Sequence, residues 1–200
     1  MNTSSNPHFG LAPSPWIERF AHLVPHGARV LDLACGYGRH ARFFAARGAR
    51  VVAVDRDAAA LATIEGTPGI DTRCADLEGA DWPFADQGFD AIVVNHYLHR
   101  PLFPYLRAAL RTDGTLLYET FAEGNAAFGR PANPAFLLRR DELLTEAAKG
   151  LPPLRVIAFE QGFVEMGDKA AVIQRLAAVG AGRAWPPPLA TGRNGQDWTS

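Results

Sequence analysis

Short apolar runs and longer stretches with helical spacing alternate along the chain. The short runs predict strands at 29–33, 50–54, 70–74, 89–94 and 115–120, and the first of these is predicted to be buried. The longer stretches predict helices at 38–47, 57–65, 101–110 and near 140–148. Two further strand-like runs follow at 154–160 and 170–178. Strands that alternate with helices predict an α/β fold, with a mostly parallel sheet, right-handed crossovers and helices on both faces.

The first helix is predicted to begin at Ser14. Serine caps free backbone N–H groups, and Pro15 suits the first helical position. Apolar residues then recur at helical spacing: Trp16, Ile17, Phe20, Leu23 and Val24. Residues 1–13 are predicted to be a mobile arm and residues 181–200 a Pro/Gly-rich tail, because both segments have loop composition. One folded domain is therefore expected over 14–180.

Charge and cysteine usage narrow the class of partner. Lys and Arg number 20 against 21 Asp and Glu, so the chain lacks the broad basic surface that holds nucleic acid. The first residues do not form a signal peptide, and no apolar run reaches the ~20 residues that span a membrane. Cys35 and Cys74 lack the spacing of a metal site or a disulfide framework. A soluble cytoplasmic protein without metal, nucleic acid or membrane partners is expected, and its oligomeric state is left open.

A glycine pair and two acids occupy the ends of the first two predicted strands. Gly36 and Gly38 permit a tight strand-to-helix turn and a close approach of backbone N–H groups to a ligand. Asp55 ends the second strand, where a carboxylate can accept both hydroxyls of a ribose. The spacing Gly36-x-Gly38-x-x-Ala41 also matches the permissive form of the dinucleotide fingerprint, so NAD is one candidate ligand.

Two further acids favour a different nucleoside. Asp32 lies at the end of the first strand, where it would repel a pyrophosphate but attract an ammonium group. The third strand ends in 74-CADL-77, which supplies Asp76 beside the expected adenine position. A ligand that combines ammonium, ribose and adenine without phosphate is S-adenosylmethionine.

Over roughly 15–179 the chain resembles the class I S-adenosylmethionine-dependent methyltransferases. The segments that carry the resemblance are VLDLACGYGRH, AVDRD, CADLEGADWPF…GFDAIVVNHYLH, and the turn TDG followed by TLLYETF. Within that superfamily it is most similar to the small stand-alone members grouped with tellurite-resistance methyltransferases. The resemblance implies a Rossmann-like sheet of seven strands that ends in an antiparallel hairpin, and a methyltransferase domain over 14–180.

The resemblance also implies a set of cofactor-binding residues. Asp32 and Gly36 would lie near the methionine part, Asp55 on the ribose, Asp76 and Leu77 on the adenine, and Asn95 under the sulfonium. The complete predicted set is Asp32, Ala34, Gly36, Gly38, Asp55, Arg56, Asp76, Leu77 and Asn95.

The segment after the fourth strand, 95-NHYLHR-100, favours a small-molecule acceptor. It lacks the two prolines typical of enzymes that methylate exocyclic amines of bases, and neither cysteine is placed to attack a pyrimidine ring. A base is needed only if the acceptor carries a proton. The candidates are His96, Tyr97 and His99, and histidine is preferred because its unperturbed pKa lies near neutrality.

A long Gly/Asn/Pro-rich segment, 121–134, follows the fifth strand. It is either a lid over the reaction centre or an ordered surface loop whose phenylalanines rejoin the core. The predicted substrate-side residues come from this loop, the fifth strand and the first helix: Trp16, Phe20, Tyr118, Phe121, Asn125, Phe128 and Asn133. Under the lid hypothesis, Phe128→Ala would abolish methyl transfer and leave cofactor affinity nearly unchanged.

Three alternatives to a small-molecule methyltransferase remain open. They are an RNA methyltransferase, a cofactor-binding domain without catalysis, and an NAD-dependent oxidoreductase. The acceptor itself also stays open between an oxyanion of sulfur, selenium or tellurium, a thiol and a carboxylate.

Overall fold

The computed structural model describes residues 12–166 and 169–188, so most of the predicted arm and most of the predicted tail lie outside the described residues. The strands are β1 Arg29–Leu33, β2 Arg50–Asp55, β3 Ile70–Cys74, β4 Phe89–Asn95, β5 Leu110–Phe121, β6 Arg155–Met166 and β7 Lys169–Val179. The helices are α1 Pro15–Phe20, α2 Arg39–Ala46, α3 Ala58–Ala62, α4 Phe103–Ala109 and α5 Glu142–Ala148.

The seven strands form one sheet in the order β3-β2-β1-β4-β5-β7-β6. The first five strands pair in parallel, while β7 pairs antiparallel with both β5 and β6. The predicted fold class, a mostly parallel seven-stranded sheet with an antiparallel C-terminal pair, is confirmed. Strand order reverses between β1 and β4, and ligands of such sheets bind at the carboxyl ends of the strands beside that reversal.

Alternating strand residues divide the core into two layers, one on each face of the sheet. Val30, Val51 and Val93 pack with residues of α1, α2 and α3 on one face. Leu31 and Val94 pack with residues of α4 and α5 on the other face. Because β1, β2 and β4 are covered on both sides, nearly all of their residues are buried, as expected for central parallel strands.

Helix α1 joins the core through its aromatic residues. Ser14 caps the helix by accepting from the backbone N–H of Trp16, and Pro15 stands at the first helical position. Trp16 is 1% exposed and Phe20 is 5% exposed, and their ring centroids lie 4.5 Å apart. Trp16 and Phe20 were predicted on the substrate side. They are instead buried against the sheet and line neither of the two cavities described below.

Among the described residues, no helix is both long and apolar enough to cross a membrane.

Candidate active site

The turn between β1 and α2 places the glycine pair over the end of the sheet. Gly36 and Gly38 both adopt left-handed backbone conformations, with φ of 53° and 69°. A side chain at Gly38 would bring its Cβ within 2.6 Å of Ile64 Cδ1, so that both this contact and the left-handed backbone favour glycine there. The backbone N–H of Gly36 donates to Asp55 Oδ2 at 2.8 Å, which ties the turn to the end of β2.

Two adjoining cavities follow the carboxyl ends of the strands. The first has a volume of about 390 Å³ and is lined by Ala34, Asp55, Arg56, Ala75, Asp76, Leu77, Glu78, His96, Tyr97, Leu98, Thr120, Phe121, Pro131 and Phe136. The second has a volume of about 420 Å³ and is lined by Asp32, Ala34, Cys35, Gly36, Tyr37, Arg39, His40, Asn95 and His96. Together they cross the place where strand order reverses.

Ala34 and His96 line both cavities and therefore mark the junction between them. Both residues have left-handed backbones, with φ of 52° and 55°. This conformation is uncommon for residues other than glycine, and it turns the chain sharply at the ends of β1 and β4.

Asp32 is the most buried acid of the second cavity. It is 1% exposed, and its Oδ2 has no hydrogen-bond partner among the described residues. Burial raises the pKa of this carboxyl to about 7, against the lowering effect of the Ala41 backbone N–H and the Arg39 guanidinium. A buried carboxylate with a free oxygen is suited to pair with a ligand cation.

A chain of polar contacts connects the second cavity to α1. Arg39 donates to Asn95 Oδ1, and Asn95 Nδ2 donates to Glu119 Oε1 at 3.0 Å. Ser14 Oγ donates to the same Glu119 oxygen at 2.7 Å, and the Arg175 guanidinium contacts Glu119 Oε2 at 3.4 Å. These contacts fix the Asn95 side chain, because both ends of its amide are engaged.

The two histidines of the second cavity are held neutral at pH 7. The pKa of His40 is lowered to about 3 by burial, with smaller contributions from Arg39 and His96. The His40 Nε2 accepts a hydrogen bond from the Ser14 backbone N–H at 3.1 Å. The pKa of His96 is lowered by the atoms packed around its ring and by Arg39, while Glu119 acts in the opposite direction. The His96 ring stacks on Phe121 with centroids 4.9 Å apart. A neutral imidazole at the junction can accept a proton.

The other two base candidates are less suitably placed. Tyr97 lines the first cavity, but burial and the nearby Glu78 charge raise the pKa of its phenol, so it stays protonated. Tyr118 lies beneath it, 2% exposed, with its hydroxyl donating to the Tyr97 carbonyl oxygen at 2.9 Å. His99 lines neither cavity and precedes the 3-10 turn Arg100–Leu102.

The segment after β5 is held against the rest of the molecule at two points. Asn125 is 1% exposed, accepts from the Val172 backbone N–H at 3.0 Å and donates to the Pro131 carbonyl at 3.0 Å. Arg100 forms a two-pronged ion pair with Glu142, at 2.7 and 2.9 Å, and also donates to the carbonyls of Ala135 and Leu137. The pKa of Glu142 is lowered because these contacts outweigh the opposing effect of burial. These hydrogen bonds and the ion pair therefore hold the loop against the sheet and α5.

The loop residues that reach the first cavity are Pro131 and Phe136. Phe128, the predicted lid residue, instead packs on Phe163 with centroids 5.0 Å apart and lines neither cavity. Asn133 caps the 3-10 turn Pro134–Phe136 by accepting from the Ala135 backbone N–H. Phe136 thus lines the first cavity in the place predicted for Phe128, because the loop turns between the two rings.

Most of the predicted cofactor residues meet in the cleft. All of them except Gly38 line one of the two cavities. Asp76 and Leu77 lie in the first cavity, and the Asp76 side chain also accepts from the Glu78 backbone N–H at 3.0 Å. Sequence reasoning missed Arg39 and Phe136. Arg39 could have been found from its place directly after the second glycine, whereas no pattern in the sequence singles out Phe136.

Among the described residues, no group of three or more His, Cys, Asp or Glu side chains is arranged to hold a metal ion.

A family described as "Methyltransferase domain" matches residues 30–114, which include the glycine turn, Asp55, Asp76 and the end of β4. This match spans a little less than half of the chain. The resemblance predicted from the sequence motifs is confirmed. The trans-aconitate 2-methyltransferase of Variovorax paradoxus strain S110 is 38% identical over 101 residues, which cover 46% of this chain and 38% of that relative.

Solved structures share the fold over a longer span. TehB from Haemophilus influenzae has a TM-score of 0.67 and 18% identity, covering 82% of this chain and 60% of its own. The 1,6-didemethyltoxoflavin-N1-methyltransferase of Burkholderia thailandensis, solved with its substrate and S-adenosylhomocysteine, has a TM-score of 0.57 and 21% identity, with 82% and 75% covered. A putative S-adenosylmethionine-dependent methyltransferase from Listeria monocytogenes has a TM-score of 0.62 and 12% identity, with 82% and 97% covered. Because these sequence identities are low, the structural similarities establish the fold alone.

Proposed function

We propose that this protein is an S-adenosylmethionine-dependent methyltransferase that acts on a small molecule. The observation that carries the proposal is the order of charged groups along the cleft. Asp76 and Asp55 line one cavity, Asp32 and Arg39 line the other, and His96 stands at the junction. This order matches adenine and ribose at one end and a zwitterionic amino acid at the other.

Each group has a specific task in this arrangement. Asp55 accepts ribose hydroxyls, because a carboxylate has acceptor capacity beyond its bonds to the backbone N–H groups of Gly36 and Asp57. Asp76 accepts from the adenine amino group, and the Leu77 N–H donates to the ring. Asp32 pairs with the ammonium and Arg39 with the α-carboxylate. A dinucleotide would instead bring its phosphates toward the buried Asp32 carboxyl.

S-adenosylmethionine, when bound, supplies a methyl group already activated on a sulfonium. The residues around the junction then act mainly by alignment, which contributes as much as ~7–11 kcal/mol in well-oriented reactions. Asn95 is held rigid by Arg39 and Glu119 beside the junction. The neutral His96 imidazole accepts the proton of an acceptor that carries one.

We also propose a cytoplasmic location, because both cysteines are free thiols.

Calorimetry with S-adenosylmethionine and S-adenosylhomocysteine tests the cofactor assignment. We expect Asp55→Ala to weaken binding of both by about 1–3 kcal/mol, because hydrogen bonds to a charged acceptor are lost. Asp71→Ala is the matched control, since Asp71 is an exposed acid on neighbouring β3 that lines neither cavity and pairs with Arg73 at 3.5 Å. Unchanged affinity in Asp55→Ala, or tighter binding of NAD than of S-adenosylmethionine, would contradict the proposal.

Transfer of a labelled methyl group separates an enzyme from a cofactor-binding domain without catalysis. The protein is incubated with labelled cofactor and either a pool of small metabolites or purified RNA. Label in a small molecule is the expected result. Label in RNA alone would replace the small-molecule assignment, and bound cofactor with no transfer to either pool would favour the non-catalytic alternative.

A further inference from the structure

The side of the first cavity formed by the ends of β4 and β5 and by the loop after β5 has a largely aromatic and apolar wall. It consists of His96, Thr120, Phe121, Pro131 and Phe136. The His96 and Phe121 rings stack face to face, with centroids 4.9 Å apart and 30° between their planes, and both contribute to the cavity wall. The part of the wall that these two rings form is the His96–Phe121 surface. This wall begins at the junction of the two cavities, where the methyl group lies if the proposed function is right.

The charges around this wall disfavour an anion. The first cavity is lined by three acids, Asp55, Asp76 and Glu78, against one base, Arg56. Among the described residues near the loop, Arg100 is fully engaged, because its three nitrogens donate to Glu142 and to the carbonyls of Ala135 and Leu137.

The cation of the second cavity is also committed. Arg39 donates to Asn95 and lies within the electrostatic influence of Asp32 and Glu119. In the proposed function its remaining capacity binds the α-carboxylate of the cofactor. Apart from Arg56, which shares the first cavity with the acids Asp55, Asp76 and Glu78, no cation on the described lining of the cleft is left to neutralise an oxyanion or a carboxylate acceptor.

We propose that the methyl acceptor is an uncharged planar molecule that packs against the His96–Phe121 surface under Phe136 and presents an O–H, N–H or S–H group to His96. This inference rests on the proposed function and adds the class of acceptor. It differs from the oxyanion and carboxylate acceptors that the sequence left open, and from an acid such as trans-aconitate.

The chemical step balances without a further reactant. A bond forms between the acceptor heteroatom and the methyl carbon while the bond between that carbon and sulfur breaks. The electron pair of the broken bond stays on sulfur, which leaves as a neutral thioether. The acceptor proton passes to the His96 imidazole and then to water, so the acceptor changes only by replacing its proton with a methyl group.

Two sets of probes test the class of acceptor. Phenol, catechol and benzimidazole are the planar neutral probes, and tellurite, selenite and trans-aconitate are the anionic probes. Binding of each is measured by calorimetry in the presence of S-adenosylhomocysteine, and methylation is measured with labelled cofactor. Binding or methylation of the planar probes in preference to the anions is the expected result.

The other outcomes separate this inference from the proposed function. If the cofactor binds and the anions are preferred, or if neither set binds or reacts, the acceptor class is wrong while cofactor binding stands. If the cofactor does not bind, both proposals fail.

Two phenylalanines of the same loop supply a matched pair of variants. Phe136 and Phe128 are both 48% exposed, but only Phe136 lines the cavity, whereas Phe128 packs on Phe163. Phe136→Ala should raise the Kd of the planar probes by about tenfold with cofactor affinity unchanged, and Phe128→Ala should leave both unchanged. Equal effects of the two variants on probe binding would place the acceptor outside this wall.

Discussion

The left-handed backbones of Ala34 and His96 concentrate strain where the two cavities meet. A non-glycine residue in this conformation costs roughly 1–2 kcal/mol relative to a right-handed one. The strained turn at His96 is held by the rest of the fold: its backbone N–H donates to the Glu119 carbonyl at 2.9 Å, and its ring stacks on Phe121. Strain maintained in this way is typical of residues whose position serves function rather than stability.

A comparison of alanine and glycine variants measures this strain. At His96, where φ is 55°, the glycine variant should be more stable than the alanine variant by about 1 kcal/mol, because glycine adopts the left-handed conformation freely. At His99, where φ is −135°, the order should reverse by about 0.5–1 kcal/mol, because glycine there only adds entropy to the unfolded chain.

Denaturant unfolding of the four histidine variants gives both differences. Since each comparison is between glycine and alanine at one position, loss of the imidazole cancels. If alanine is the more stable residue at both positions, the His96 turn is not strained.

At the scale of elements, α1 is fixed to the sheet through the side chain and the backbone of one residue. Ser14 is 3% exposed and forms three contacts: its hydroxyl donates to Glu119 and accepts from the Trp16 backbone N–H, and its own N–H donates to His40. Trp16 adds a bond from its indole Nε1 to the Leu176 carbonyl at 3.3 Å. Because Glu119 also holds Asn95, the position of α1 is coupled to the wall of the second cavity.

Ser14→Ala should therefore destabilise the fold by about 2 kcal/mol or more. The variant loses a helix cap and also leaves the buried Glu119 carboxylate with one donor fewer. Thr145→Ala is the control, because the Thr145 hydroxyl donates to the Asp141 carbonyl at 3.2 Å on the exposed face of α5 and its loss should cost little. Chemical denaturation checks both values, and similar small losses in the two variants would show that the Ser14 contacts are not stabilising.

The elements that the sequence predicted well are those whose signal is local. Strands β1, β2, β3 and β4 and the cap of α1 appear within a residue or so of the prediction. Continuous apolar runs mark β1, β2 and β4 directly, and a Ser-Pro pair marks the cap. Strands β6 and β7 were predicted at 154–160 and 170–178 but extend over Arg155–Met166 and Lys169–Val179. Their tight pairing out to Met166 and Lys169 depends on cross-strand contacts that no local pattern contains.

The residues of the candidate site also divide into those that local sequence patterns predict and those that they do not. The acids Asp32, Asp55 and Asp76 could be placed together from the sequence, because the carboxyl ends of parallel strands meet at one edge of the sheet. The loop residues could not, since a non-repetitive backbone gives no periodicity from which to infer direction. Thus Phe128 and Phe136 look equivalent in the sequence, and only the folded loop separates them.

At the scale of the whole molecule, the buried titratable groups beside the second cavity have opposite effects on how folding stability changes with pH. Asp32 has a folded pKa of about 7, above its unfolded value, so the native state holds more protons and stability falls as pH rises toward 7. His40 has a folded pKa of about 3, below its unfolded value of 6.5, so stability rises as pH increases from about 3 to 6.5 and then levels off. His96 acts in the same direction as His40.

Removing the titrating group at Asp32 should therefore make the pH dependence caused by the histidines measurable. Between pH 5 and 7 the Asp32 and His40 contributions are each about 2 kcal/mol and opposite in sign, so these two largely cancel in the wild-type protein without cofactor and leave the smaller rise that His96 causes. Asp32→Asn keeps the shape of the side chain but does not titrate, so this variant should gain about 2 kcal/mol from pH 5 to pH 7 relative to wild type. Denaturant unfolding at pH 5, 6 and 7 measures the difference, and Asp71→Ala, which removes an exposed acid, should follow the wild-type profile. If the Asp32→Asn and wild-type profiles run parallel, Asp32 does not titrate in this window and is already ionised in the free protein at pH 5.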